Sequence, residues 1–274
     1  MSGYRQKKEM TMEKINLKEA AVFIREDLRL KTFPVAVKFL QDGTKFPEKA
    51  RRPSVAMGKR IALCQGITMV RSYGWTVGLA KEDIICVPAA IAFGFSDATD
   101  PSLSLAGLFR EVGFSGNNDL ARKETSSMSR FKNGEIKGII LAPVEKVTFQ
   151  PDTVIIYGNP AQMMRLAQAW TYVTGKRLAG ECGGKVECDE YLIAPFKMQC
   201  PRMVIPGNGE RVFAATQDDE MVLAFPVKCL ADMVKGLREA GKAIGVRYPV
   251  TPYQNFQPEL PAAHVKLGKE IGIL

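Results

Sequence analysis

The sequence predicts an α/β or α+β fold, with a mixed, largely antiparallel sheet and helices packed on it. Short β-branched runs bounded by Gly and Pro alternate with stretches whose apolar residues recur every three or four positions, the signatures of strands and amphipathic helices. The same order of elements also occurs twice along the 274 residues, which predicts two similar halves sharing one sheet.

Taken in order, the first helix follows Asn16, which has capping-box spacing to Glu19, and carries Leu17, Ala20, Ala21, Ile24 and Leu28 on one face. Pro34 to Leu40 alternates as a strand, and a polar, proline-punctuated loop runs from Gln41 to Pro53. Residues 60–73 form a helix that carries Cys64 and ends at Gly74, and 75–79 is a short strand. Cys86 marks a strand end turning into a helix. The Ser-, Gly- and Asn-rich stretch 95–134 holds two helices, near 101–112 and 118–130, and reads as a cover. Strands follow at 136–141 and 153–157, then a helix after Gly158-Asn159-Pro160. A hairpin is expected from 202–205 and 211–216 around Pro206-Gly-Asn-Gly-Glu210, because Asn-Gly between apolar runs is hairpin chemistry. A strand at 220–225, a helix at 227–243 and a last helix near 262–271 complete the chain.

Residues 1–12 read as a solvated tail and 13–250 as one compact domain with possible halves 13–134 and 135–250. The proline-bearing 251–274 reads as a wrapping segment. The internal echo sets strand 34–40, the Cys64 helix and Cys86 against strand 153–157, the Trp170 helix and Cys188, so it pairs Cys86 with Cys188.

Hydrophobic content of 46% and charged content of 24% are those of a globular protein. No apolar run approaches the roughly 18–20 residues of a membrane span. The N-terminus has no apolar stretch behind its charges, so a cytoplasmic protein is expected. A formal charge of +9 and pI near 9.2 favour an anionic partner. That charge is dispersed, and its one concentration, Lys45, Lys49, Arg51, Arg52, Lys59 and Arg60, lacks interleaved aromatics, which argues against nucleic acid. The single histidine, His264, leaves no basis for triad hydrolysis. No Walker loop and no Gly-x-Gly-x-x-Gly occurs. Nothing in the sequence sets the oligomeric state.

The six cysteines carry the sharpest chemistry. In a reducing compartment they are core fillers, metal ligands or reactive thiols. Cys182, Cys188 and Cys200 fall close together in Gly-Glu-Cys-Gly-Gly-Lys-Val-Glu-Cys and Gln-Cys-Pro contexts that suit an iron–sulfur cluster, although no Cys-x-x-Cys pair exists. Helix starts at Cys86 and Cys188 favour the thiolate. Cys64, Cys86 and Cys188, with Cys182 or Cys200, are the expected ligands of a cluster serving electron transfer or redox sensing, with a redox protein as partner. Against this stands a metal-free enzyme or binding module for an anionic small molecule. Its pocket would lie between the Gly158-Asn159-Pro160-Ala161-Gln162 turn and Gly207, Gly209 and Arg211.

Pro34-Val-Ala-Val-Lys38, Cys64-Gln65, Cys86, Gly94-Phe95, Pro151-Asp152, Gly158 to Gln162, Gly209-Glu-Arg211, Asp219-Glu220-Met221, Gly236-Leu237 and Tyr248-Pro249 together resemble the uncharacterised ArCR family of archaeal and bacterial proteins. The resemblance covers roughly residues 16–250. It implies a cysteine-bearing protein of anaerobic prokaryotes and no established reaction. An anaerobic setting is compatible with an oxygen-sensitive cluster.

Overall fold

The computed structural model describes residues 16–252 and 259–274. The expected tail, 1–12, lies outside the described residues, as does part of the wrapping segment. Six strands form one sheet: β1 (Val35–Leu40), β2 (Val77–Leu79), β3 (Gly138–Pro143), β4 (Thr153–Gly158), β5 (Arg202–Val204) and β6 (Met221–Pro226). Their order is β2-β3-β1-β4-β6-β5, and every neighbouring pair is antiparallel.

The central strands read as continuous apolar runs, such as Ile139-Ile-Leu141 and Val154-Ile-Ile156, because helices cover both faces of the sheet. On one face lie α1 (Leu17–Asp27), α7 (Pro160–Thr174) and α10 (Leu230–Glu239), packing Ile24, Leu166, Met233 and Leu237 on Ala36, Val154 and Ile156. Gly236 lets α10 meet α7: a Cβ there would stand 2.1 Å from the Ala169 carbonyl oxygen. On the other face lie α3 (Leu63–Tyr73), α4 (Val87–Ala92) and a π-helical turn, Asp189–Ile193, that runs into α8 (Ala194–Met198). They pack Ile67, Val70, Phe93 and Tyr191 on Val35, Val37 and Ile155. Between α4 and β3, α5 (Pro101–Glu111) and α6 (Asn118–Ser127) form the expected helical cover.

The strand register is two-fold symmetric. Val35 pairs with Pro143 as Thr153 pairs with Pro226. Val77 pairs with Leu141 as Arg202 pairs with Ala224. Across the middle, Val35–Ile155, Ala36–Val154 and Val37–Thr153 form a ladder that maps onto itself, with its centre at Ala36–Val154. Matching details extend beyond the strands. Parallel bridges join Arg51 to Val77 and Ala179 to Arg202. Val144 N–H donates to the Pro34 carbonyl as Val227 N–H donates to that of Asp152. The duplication therefore divides between β3 and β4 rather than at residue 134, since β3 is the counterpart of β6. It also pairs Cys188 with Cys64, not with Cys86: each heads the helical segment that precedes its edge strand.

The hairpin expected at 202–216 is corrected. β5 is followed by α9 (Asn208–Ala214), with Gly207 extended as its N-cap, and β5 reaches β6 only through this helix. Asn208-Gly209 forms a first helical turn, and Val212 and Phe213, read as a strand, are exposed. A four-residue helical turn, α2 (Pro53–Ala56), follows the expected loop. The last helix, α11 (Ala262–Glu270), forms as expected and leaves His264 exposed. No helix among the described residues is long and apolar enough to cross a membrane.

Candidate functional site

Local sequence fixes where the cysteines stand. Ala62 is extended and caps α3, its N–H donating to the Gln65 side chain at 2.8 Å, so Cys64 falls in the first turn. Cys86 is the N-cap of α4, and Pro88 suits the following first turn. Cys188 immediately precedes the π-helical turn, a local widening often found at functional positions. These three starts, with α9, converge on one cavity of about 450 Å³ lined by Cys64, Cys86, Cys188 and Glu210. Leu63, Val87, Phe109, Phe114, Val186 and Phe213 make its wall largely aliphatic and aromatic, and Lys185 is its one lining cation among the described residues.

Glu210, in the first turn of α9, is 2% exposed. Its Oε1 accepts a hydrogen bond from the Tyr191 hydroxyl at 3.2 Å, and its Oε2 is buried without a hydrogen-bond partner. Behind it, Tyr191 and Tyr157 pack edge to face, and Arg71 lies 4.1 Å from the Tyr157 ring centroid while pairing with Glu220 at 2.6 Å. The Cys64 thiol reaches the Gly209 carbonyl at 3.7 Å, and Thr68 donates to the Ala214 carbonyl, which ties α3 to α9.

Burial pushes the Cys64 thiol up to about 12, with the Glu210 charge and Cys86 acting in the same direction. Burial also raises Cys86, and it raises Cys188 far above the ordinary thiol value, with Glu210 next in effect. Glu210 is itself raised by burial. Glu210, Cys64, Cys86 and Cys188 thus line one cavity, and burial disfavours the charged form of each. Among the described residues, no three His, Cys, Asp or Glu side chains are grouped closely enough to hold a single metal ion.

The other expected ligands lie elsewhere. Cys182 is exposed and accepts the Ile205 N–H at 3.3 Å, beside a smaller cavity of about 150 Å³ rich in carboxylates. Cys200 is half-buried and lies near Cys229, which belongs to the opposite face of the sheet. Closeness along the chain misleads here: Cys182 lines the neighbouring smaller cavity, and α8 carries the chain on to Cys200, near Cys229. Among the described residues, the Gly158–Gln162 turn and Gly207–Arg211, expected to share an anion pocket, are engaged separately. Asn159 caps α7, and Gln162 accepts the Asn159 N–H at 2.7 Å and donates to the Leu28 carbonyl at 2.8 Å. Asn159 also donates to the Tyr248 hydroxyl, so the donors of this turn are already engaged. Gly207 packs against the Lys185 backbone and Gly209 lines the cavity, but Arg211 turns away to the Gln217 carbonyl. Much of the basic stretch 45–60 is engaged as well: Arg51 stacks 3.9 Å from the Trp75 ring centroid, and Arg52 pairs with Asp83 and Glu82. Neither Glu210 nor Lys185 was singled out by sequence; inside Gly-Asn-Gly-Glu-Arg, Glu210 has the appearance of a solvated turn residue.

The sequence pattern of a family described as Uncharacterised ArCR matches residues 24–236. An uncharacterized protein of Methanocaldococcus jannaschii is 26% identical over 228 residues, covering 82% of this chain and 95% of that relative. No solved structure matches.

Proposed function

Since the chain belongs to the uncharacterised ArCR family, which brings no reaction with it, we propose its function from the cavity: Cys64, Cys86 and Cys188 hold an iron–sulfur cluster that serves electron transfer or redox sensing. The observation that carries this reading is that three cysteines from three separate elements, Cys64 and Cys188 buried and Cys86 half-buried, line one cavity. Thiolates are the usual ligands of such clusters, and an apolar shell limits solvent access and tunes potential. The thiols are too dispersed for one shared ion. Loading would release the thiol protons that burial holds in place.

Anaerobic purification of untagged protein tests this directly. Brown protein containing iron and acid-labile sulfide is expected. Single Ala substitutions at Cys64, Cys86 or Cys188 should lose the cluster, while Cys182→Ala and Cys200→Ala keep it. Colourless, iron-free anaerobic protein would sink the proposal.

A second reading is a metal-free pocket for a small, mainly apolar molecule with an anionic group. The aliphatic and aromatic wall with Lys185 beside it favours this. In that case Lys185→Ala weakens binding of such a molecule, and the three Cys→Ala variants leave it largely unchanged.

A further inference from the structure

The residues lining the large cavity divide into an exposed mouth and a buried inner end. Ile85, Val87, Val112, Phe114 and Phe213 line it and are each half or more exposed. Large apolar side chains gathered in water at the opening of an apolar cavity mark an entrance for an apolar molecule. At the inner end, Glu210 is 2% exposed, and the fully buried Tyr191 donates to its Oε1. Its Oε2 is buried without a partner. The cations of the surrounding elements are engaged elsewhere: Lys185 pairs with Glu124, Arg71 pairs with Glu220, and Arg211 donates to the Gln217 carbonyl. Burial pushes the Glu210 carboxyl toward its neutral form, against the lowering effect of its hydrogen bonds and of Arg211. A neutral carboxyl that accepts at Oε1 has an O–H to donate from Oε2. Leaving that bond unmade costs stability, which a ligand bringing an oxygen restores.

We infer that Glu210 is a recognition residue: the cavity takes a mainly apolar molecule that enters polar end first and lays an uncharged oxygen, a hydroxyl or a carbonyl, against Oε2. This rests on the metal-free pocket reading above and adds to it a point of recognition that no charge on the ligand supplies. A charged group at the inner end sheds its water for a single polar partner, whereas an uncharged oxygen makes the same move at much smaller cost. Tyr191 fixes the carboxyl through Oε1, so Oε2 meets the ligand in one orientation. The rest of the molecule lies along the aliphatic and aromatic wall and covers the mouth.

Isothermal titration calorimetry on metal-free, full-length protein tests this with butylbenzene, para-butylphenol and para-butylbenzylamine, probes of similar shape and different polar ends. Butylbenzene should bind, and para-butylphenol should bind about tenfold more tightly, the worth of one buried hydrogen bond. The amine should bind more weakly than the phenol. Glu210→Gln, which keeps hydrogen-bonding atoms without a charge, should retain most of the phenol's advantage. Glu210→Leu, which removes every polar atom of the side chain, should make the phenol and butylbenzene equal. The comparison of probes on wild type depends on no variant folding. If the phenol binds wild type no more tightly than butylbenzene does, Glu210 recognises nothing and the inference fails, while the apolar pocket stands. If the amine binds most tightly and Glu210→Gln abolishes that preference, the inner end takes a cation and the inference fails. If folded Glu210→Leu keeps the phenol's advantage, the hydroxyl sits elsewhere and the inference fails again. If no probe binds, the pocket reading and this inference fall together.

Discussion

The two halves share a strand register and differ in what they attach to it. The first half inserts α5 and α6 between α4 and β3, over the cavity. The second half instead places the long α7 directly after β4, on the opposite face. Equivalent backbone positions have also diverged in chemistry. Val77 opens edge strand β2, whereas Arg202 opens β5, largely buried and paired with Glu190. Leu63 precedes Cys64, whereas the buried Glu187 precedes Cys188. Symmetry is kept where strands pair and in the helical segments that carry Cys64 and Cys188, while the second half buries polar groups around it.

Substitutions that make the second half resemble the first should sharpen this contrast. Arg202→Val leaves Glu190 buried without its partner and should cost about 3–5 kcal/mol in chemical denaturation. Adding Glu190→Leu should recover most of the loss, because an apolar pair replaces an ion pair; no recovery would show that the charges position β5 in a way packing cannot. Gly236→Ala attacks the feature that belongs to the second half alone. With backbone in the way of the new Cβ, a loss of about 1–3 kcal/mol is expected, and an unchanged midpoint would show that α7 and α10 are free to separate.

Glu187 gives a pH test. Burial raises its carboxyl to about 7 from an ordinary 4.5, against the lowering effect of the Gly184 N–H and with the Glu210 charge adding to the rise. The folded state therefore holds a proton that the unfolded chain has released. Stability from this group is fully present below pH 4.5, falls as pH climbs toward 7 and is flat beyond. Glu187→Gln should remove that slope and be the more stable form at pH 8 by about 1–3 kcal/mol. Parallel pH profiles for variant and wild type would refute it. The smallest effect concerns thiol reactivity. In metal-free protein at pH 8, iodoacetamide should modify the exposed Cys182 roughly tenfold or more faster than the buried Cys64 and Cys188, read by peptide mass mapping.

Elements whose signals are local were legible in the sequence. Asn16 accepts the Lys18 and Glu19 N–H groups and donates to the Glu19 side chain at 3.0 Å, as its spacing announces. Gly74 ends α3 in the left-handed region at φ +68°. The helix that carries Cys64 and the helix starts at Cys86 and Cys188 are legible because a few residues determine each. The surroundings of Cys182 and Cys200 are not, because they depend on distant strand pairing. The hairpin failed at Asn208-Gly209, a dipeptide that serves a tight turn or an unwound helix start equally. Glu210 escaped notice because its isolation from solvent comes from α3, α4 and the π-helical turn together, none of which is near it in sequence.

The helical pair α5–α6 exists in one copy, yet it supplies Leu108 and Phe109 to the wall and holds Lys185 through Glu124. The roof of a chamber built by both halves is thus contributed by one of them alone, so its shape answers to a single stretch of chain.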